Sequence, residues 1–184
     1  AHSGAAINID CGKRIDVELI SGTTNRLADS PNGKQKAALY FKGHPEFSGT
    51  GSRTVTGNLA HAISAKEYME LKRDLGTITI LSAVKDGLHC GRDIPDPEKN
   101  YFKMQGGTVN ILSAQGDGID SGDYGTIAIS GGSVAINVTD GSTGIKADST
   151  LPISGGTIAI AVNGDDAHAI RTRYHYLQTA GNVT

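Results

Sequence analysis

Two Asp-Gly-aliphatic triplets, Asp86-Gly-Leu88 and Asp117-Gly-Ile119, put carboxylates at matching offsets of a repeat, and Asp120 follows the second directly. If equal offsets stack in space, Asp86 lies over Asp117 at ~4.8 Å, the distance between neighbouring strands. Such a like-charge pair costs ~3 kcal/mol at an effective dielectric of ~20 and less than ~1 in open water, so a shielded pair calls for a cation. Asp123, Asp140 and Asp148 fall in the adjoining turns. Carboxylate oxygens from several turns, with main-chain carbonyls filling the shell, suit calcium. The six aspartates are therefore the candidate metal residues and calcium the expected ion. The competing account is that Asp occupies tight turns for main-chain reasons alone.

The outward column beside these triplets reads Ser64, His89, Asp120, Lys146, Arg171. His89, Lys146 and Arg171 are candidate polysaccharide contacts. Lys146 or Arg171 could also serve as the base that, with a cation, eliminates across a uronic acid. Tyr68 and Tyr124 share an offset and form a candidate stacking platform for sugar rings, packing at a corner being the alternative. His61 and His168 open identical His-Ala-Ile triplets four coils apart. With no Cys or second His beside either in sequence, zinc is not expected.

Six glycines impose the spacing. Gly51, Gly76, Gly107, Gly132, Gly156 and Gly181 each open a strand-like segment, at steps of 25, 31, 25, 24 and 25 residues. After Gly76, Gly107, Gly132 and Gly156 the positions two and four further on are apolar, as in Ile78 and Ile80 or Val109 and Ile111. That is a strand with one face in a core. A second short strand is centred on Ile63, Leu88, Ile119, Ile145 and Ile170, followed two positions later by a small residue in each coil: Ala65, Cys90, Ser121, Ala147 and Thr172. A third carries Phe102 and Met104, Ile127 and Ile129, Leu151 and Ile153 inward.

Three short strands per 24–25 residues, divided by Gly, Asp, Asn and Ser turns, predict an all-β parallel β-helix, right-handed by the general preference of parallel crossovers. Residues 1–184 then form one domain, with 1–50 as diverged coils and 51–184 as regular ones. Within the former, Ala5 to Ile9, Arg14 to Ile20 and Ala37 to Phe41 are strand-like, and Thr23 to Lys36 is a polar loop. The insertion Gly91 to Asn100 accounts for the 31-residue step, and Lys72 to Leu75 is expected to form a bulge. A start without Met and an end inside a strand motif suggest a piece of a longer chain.

Net charge is −2, which gives no support for nucleic-acid binding, and no apolar run reaches the ~18 residues of a membrane span. Cys11 and Cys90 lie two coils apart, ~10 Å by strand spacing, beyond the ~7 Å limit of a disulfide. Arg53 occupies an inward position where other coils have Ile or Val, and Pro152 interrupts a strand. Both break local rules, since a buried Arg needs a partner and Pro removes a ladder donor.

Four stretches, Phe47-Ser-Gly-Thr-Gly-Ser-Arg-Thr-Val-Thr-Gly-Asn58, Gly116-Asp-Gly-Ile-Asp-Ser121, Ile129-Ser-Gly-Gly132 and Thr143-Gly-Ile-Lys-Ala-Asp148, resemble the bacterial carbohydrate-binding domain-containing proteins. The resemblance implies a right-handed parallel β-helix related to pectate lyases, secreted or held at the cell surface. It also implies binding of calcium and of plant polysaccharides such as cellulose or polygalacturonate, with Asp86, Asp117 and Asp120 in the calcium neighbourhoods. The leading expectation is calcium-dependent polysaccharide binding without cleavage. The alternatives are a polysaccharide lyase acting through Lys146 and Arg171, and a structural adhesin or filament subunit that associates end to end.

Overall fold

The computed structural model describes residues 3–91, 96 and 98–184, and among these it contains nineteen β-strands and no helix. Every recorded strand pair is parallel, as the period-two alternation and the constant coil length require. The chain winds as a solenoid with three faces. The first face stacks β1 (Ile7–Ile9), β4 (Ala37–Phe41), β7 (His61–Ala65), β10 (Leu88–Cys90), β13 (Ile119–Asp120), β16 (Thr143–Ala147) and β18 (His168–Thr172). The second stacks β2 (Arg14–Glu18), β5 (His44–Ser48), β8 (Met69–Leu71), β11 (Tyr101–Met104) and β14 (Thr126–Ile129). The third stacks β3 (Thr24–Ala28), β6 (Ser52–Gly57), β9 (Thr77–Ala83), β12 (Thr108–Ala114) and β15 (Ser133–Val138). Two long strands, β17 (Thr150–Val162) and β19 (His175–Val183), run through the corner between the second and third faces and join them into one twelve-stranded sheet.

The predicted inward columns are the core. Ile78, Val109, Val134 and Ile158 share one register on the third face and are buried. Phe102, Ile127 and Leu151 are buried on the second, and Ile63, Leu88, Ile119 and Ile145 on the first. Each fully buried Leu, Ile or Phe contributes roughly 1.5–3 kcal/mol. The anchoring glycines follow from the turns: Gly107 and Gly132 hold φ of 80° and 89°, a region that side chains with a Cβ resist. A Cβ on Gly132 would also meet the carbonyl oxygen of Gly107 at 2.6 Å.

Several local expectations change. The stretch read as a polar loop contains β3, which pairs with β6 from Thr24 with Ser52 to Ala28 with Thr56. Its side chains are mostly exposed, so the alternation that marks other strands is missing there. Lys72 to Leu75 is a tight turn and not a bulge, closed by the Leu75 N–H donating to the Lys72 carbonyl at 3.2 Å. The Gly91 to Asn100 insertion lies largely outside the described residues.

Arg53 does face inward, in register between Asn25 and Ile78, and its Nε is buried without an acceptor. Desolvation lowers the guanidinium pKa. Pro152 sits at an outward position beside Leu177, and the ladder between β14 and β17 records a single registered pair, Ile129 with Ile153. Both cysteines are free, as expected, but Cys11 follows β1 and Cys90 closes β10, three strand steps apart on the first face and not two. Cys11 is exposed and Cys90 buried, and burial pushes the Cys90 thiol far up in pKa. No helix among the described residues is long and apolar enough to cross a membrane.

Candidate functional site

On the first face the residue two before each aliphatic centre forms a column of His61, Asp86, Asp117, Thr143 and His168. Its register follows from the paired centres Ile63 with Leu88, Leu88 with Ile119 and Ile119 with Ile145. The side chains bond along the column. The Asp86 N–H donates to His61 Nδ1 at 3.3 Å, the Asp117 N–H to Asp86 Oδ1 at 2.8 Å, and the Thr143 N–H to Asp117 Oδ1 at 2.8 Å. Each side chain thus binds the main chain of the next coil at or just before the start of its strand.

The neighbouring outward column reads Tyr40, Ser64, His89, Asp120, Lys146, Arg171 in unbroken register. It is cross-linked to the first. His89 Nδ1 lies 3.1 Å from Oδ2 of both Asp86 and Asp120, and His61 Nδ1 lies 3.0 Å from the same Asp86 oxygen. The His61 and His89 rings stack with centroids 4.4 Å apart and 19° between planes. Lys146 Nζ lies 3.1 Å from Asp117 Oδ2 and 3.6 Å from Asp120 Oδ1, which also accepts the Gly122 N–H at 3.1 Å.

Opposite charges therefore meet between the two columns, His89 at Asp86 and Asp120 and Lys146 at Asp117 and Asp120. Burial works against ionisation of Asp86, yet the imidazoles of His61 and His89 against its carboxylate hold its pKa well below the usual carboxylate range. Burial likewise opposes a charged His89, but its bonds to Asp120 and Asp86 push its pKa up to about 9. Desolvation opposes the Lys146 charge too, and Asp120 and Asp117 overcome it and raise the pKa. An amine held protonated in this way is a poor base for abstracting a proton. The like-charge problem posed by Asp86 over Asp117 is met by main-chain amides and by His89 and Lys146.

The six candidate metal aspartates do not converge. All six carboxylate oxygens of Asp86, Asp117 and Asp120 already face protein donors. Calcium takes six to eight oxygen ligands, and this column offers no such free set as it stands. Asp148 Oδ2 accepts the Tyr124 N–H at 2.9 Å and pairs with Arg173 at 3.3 Å, while Asp123 and Asp140 are exposed in turns.

The tyrosines are also divided. Tyr124 is exposed and holds φ of 64° in its turn, apart from Tyr68. Tyr68 instead stacks on Tyr101 at 4.5 Å and 6°, with His44 on its other face at 4.2 Å and 26°. A ring covered on both faces has none left for a sugar. Beneath this stack Lys72 bridges Glu46 at 2.8 Å and Glu70 at 2.5 Å, and the Tyr101 hydroxyl donates to Glu70 at 2.9 Å.

Beside β4, β7 and β10 the surface opens into a groove of about 660 Å³, within the range of ligand sites. It is lined by Lys36, Lys66, Lys85, His61, His89 and Tyr40 together with small and amide residues, and no described residue of the lining is acidic. Further along the same face a smaller cleft of about 250 Å³ is lined by Lys146, Arg171, Arg173 and Asp148. His89 thus belongs to the large groove, and Lys146 and Arg171 to the small one. Lys36 and Lys66 escaped the sequence reading because lysines are common on solvated faces, and only the winding brings them around one depression with Lys85, which the sequence places next to Asp86.

No curated protein sequence matches the chain. A solved structure described as the polysaccharide lyase-like protein from C. thermocellum, in its gadolinium derivative, superposes with a TM-score of 0.78 at 19% identity, covering 99% of this chain and 73% of that one. At that identity the likeness establishes the fold. The model of one family, the carbohydrate-binding domain-containing proteins, matches residues 1–181, and the chain belongs to that family.

Proposed function

We propose that this chain binds an acidic, uronate-type polysaccharide along the outer side of its first face, without cleaving it. The observation that carries the reading is the groove lined by Lys36, Lys66, Lys85, His61 and His89 with no acidic residue among its described lining, in a member of a carbohydrate-binding family. A cationic, partly enclosed groove focuses the field that attracts a polyanion, whereas neutral cellulose gains nothing from lysines. Cleavage is left out because Lys146, one of the two residues the sequence offered as base beside Arg171, is held charged by Asp117 and Asp120.

Binding of polygalacturonate and of cellulose, measured by pull-down and by titration at low and high salt, tests the reading. Polygalacturonate should bind, more weakly as salt rises, and the triple variant Lys36→Ala, Lys66→Ala, Lys85→Ala should lose about tenfold or more in affinity at ~0.2–1 kcal/mol per exposed charge. Cellulose binding alone, insensitive to salt, would sink it. The calcium dependence expected from the sequence is a proposal tested by the same titration in calcium and in EDTA, where equal affinities would remove it. A polymer of this size is met outside the cell, so the proposal includes an extracellular or cell-surface location.

A further inference from the structure

We propose that His61 and His89, which line the groove, and the buried Asp86 behind them form a binding site for a zinc-like divalent transition metal, a site that does not depend on the polysaccharide reading. The ligand atoms of the three residues all lie within 4.8 Å of one another. Two edges of the triangle are short: His61 Nδ1 and His89 Nδ1 stand 3.0 Å and 3.1 Å from the single oxygen Asp86 Oδ2. Four-coordinate zinc with bonds of ~2.0–2.1 Å places its ligand atoms roughly 3.3 Å apart, so these edges need only small adjustment. Asp120 Oδ2 lies 3.1 Å from His89 Nδ1 and is a further carboxylate oxygen beside the cluster.

The donor chemistry selects the ion. Two imidazole nitrogens and a carboxylate suit zinc, cobalt, nickel or ferrous iron, whereas calcium and magnesium prefer oxygen alone. The three side chains are only 13–26% exposed, and both histidines line the groove, so the cluster is held in place and still reachable from solvent. The Asp117 N–H holds the other carboxylate oxygen of Asp86 at 2.8 Å, which orients the ligating oxygen as second-shell bonds do in metal sites. Metal binding displaces the proton that His89 otherwise shares with the two aspartates, and it replaces the long 3.3 Å bond from the Asp86 N–H at His61 Nδ1. Asp86 and His89 come from one strand and its preceding turn, and His61 comes from the coil before, so three ligands are supplied by two adjacent turns of the solenoid.

The test is calorimetric titration of the EDTA-stripped, dialysed protein with zinc ion alone, with cobalt as a spectroscopic probe. One zinc per chain is expected, undisturbed by excess calcium. Cobalt should give the intense visible bands of a low-coordinate site. His61→Gln and His89→Gln should each weaken zinc binding by at least about a hundredfold, while His168→Gln, an exposed histidine of the same repeat position, should leave it unchanged. Circular dichroism establishes that each variant is folded. Absence of zinc binding by the wild-type protein overturns the proposal whatever the variants do, as does zinc binding that both histidine variants retain or that calcium abolishes.

Discussion

Asp117 Oδ1 accepts the main-chain N–H of Thr143 at 2.8 Å, so a side chain of one coil completes the hydrogen bonding of the next. The same aspartate holds Lys146 through its other oxygen at 3.1 Å. One residue thus serves a main-chain need and a charge need at once, and substitutions can separate the two.

Asp117→Ala should destabilise the fold by about 1–3 kcal/mol, because it strands the buried Thr143 N–H and leaves the Lys146 ammonium only Asp120 as a partner. Asp117→Asn keeps an acceptor for Thr143 and should cost about half as much. Urea denaturation of the three proteins measures this, and equal losses in the two variants would show that the main-chain bond contributes nothing.

Replacing Arg53 by Ile should stabilise the protein by about 1–2 kcal/mol, since Nε is buried without an acceptor and the column beneath continues as Ile78, Val109 and Val134. A melting temperature at or below that of the wild type would mean that Arg53 has a role the fold alone does not show.

Glu70 provides the pH dependence. Burial opposes its charge, but Lys72 and the Tyr101 hydroxyl outweigh that and lower its pKa from 4.5, with Lys103 adding to the attraction. Glu46, on the other side of Lys72, and Tyr68 complete the charged and titratable surroundings. A depressed carboxylate pKa contributes stability that is present above pH ~4.5 and lost as pH falls through the folded value. Melting temperatures between pH 6 and pH 3 should therefore fall more steeply for the wild type than for Glu70→Gln. Parallel curves would remove this contribution.

At Gly118 a Cβ would meet the Gly144 carbonyl oxygen and Ile136 Cγ2, each at 2.5 Å. Gly118→Ala should cost about 1–3 kcal/mol through overpacking, read by thermal denaturation. A neutral result would mean that the coils can part by several tenths of an ångström.

Much of this molecule was legible from one dimension because the repeat makes it so. A constant coil length and a period of two turn sequence offset into height and facing, and so Ile78 over Val109, or His89 beside Asp120, could be placed without coordinates. The exceptions have physical causes. Tyr101 follows the Gly91 to Asn100 insertion, which shifts its offset and hid its stacking on Tyr68. The strand β3 shows almost no burial contrast, so it read as a loop. His61 and His89 stand in different columns, and a column-by-column reading kept them apart.

The sequence by itself determined the solenoid, its three faces and its core columns, because these depend only on spacing and hydrophobic alternation. The tertiary structure alone decided how charge is compensated. Whether Asp86, Asp117 and Asp120 await an ion or are held by amides, His89 and Lys146 depends on side-chain directions and sub-ångström distances between coils. Those are set by packing, and no offset in the repeat encodes them.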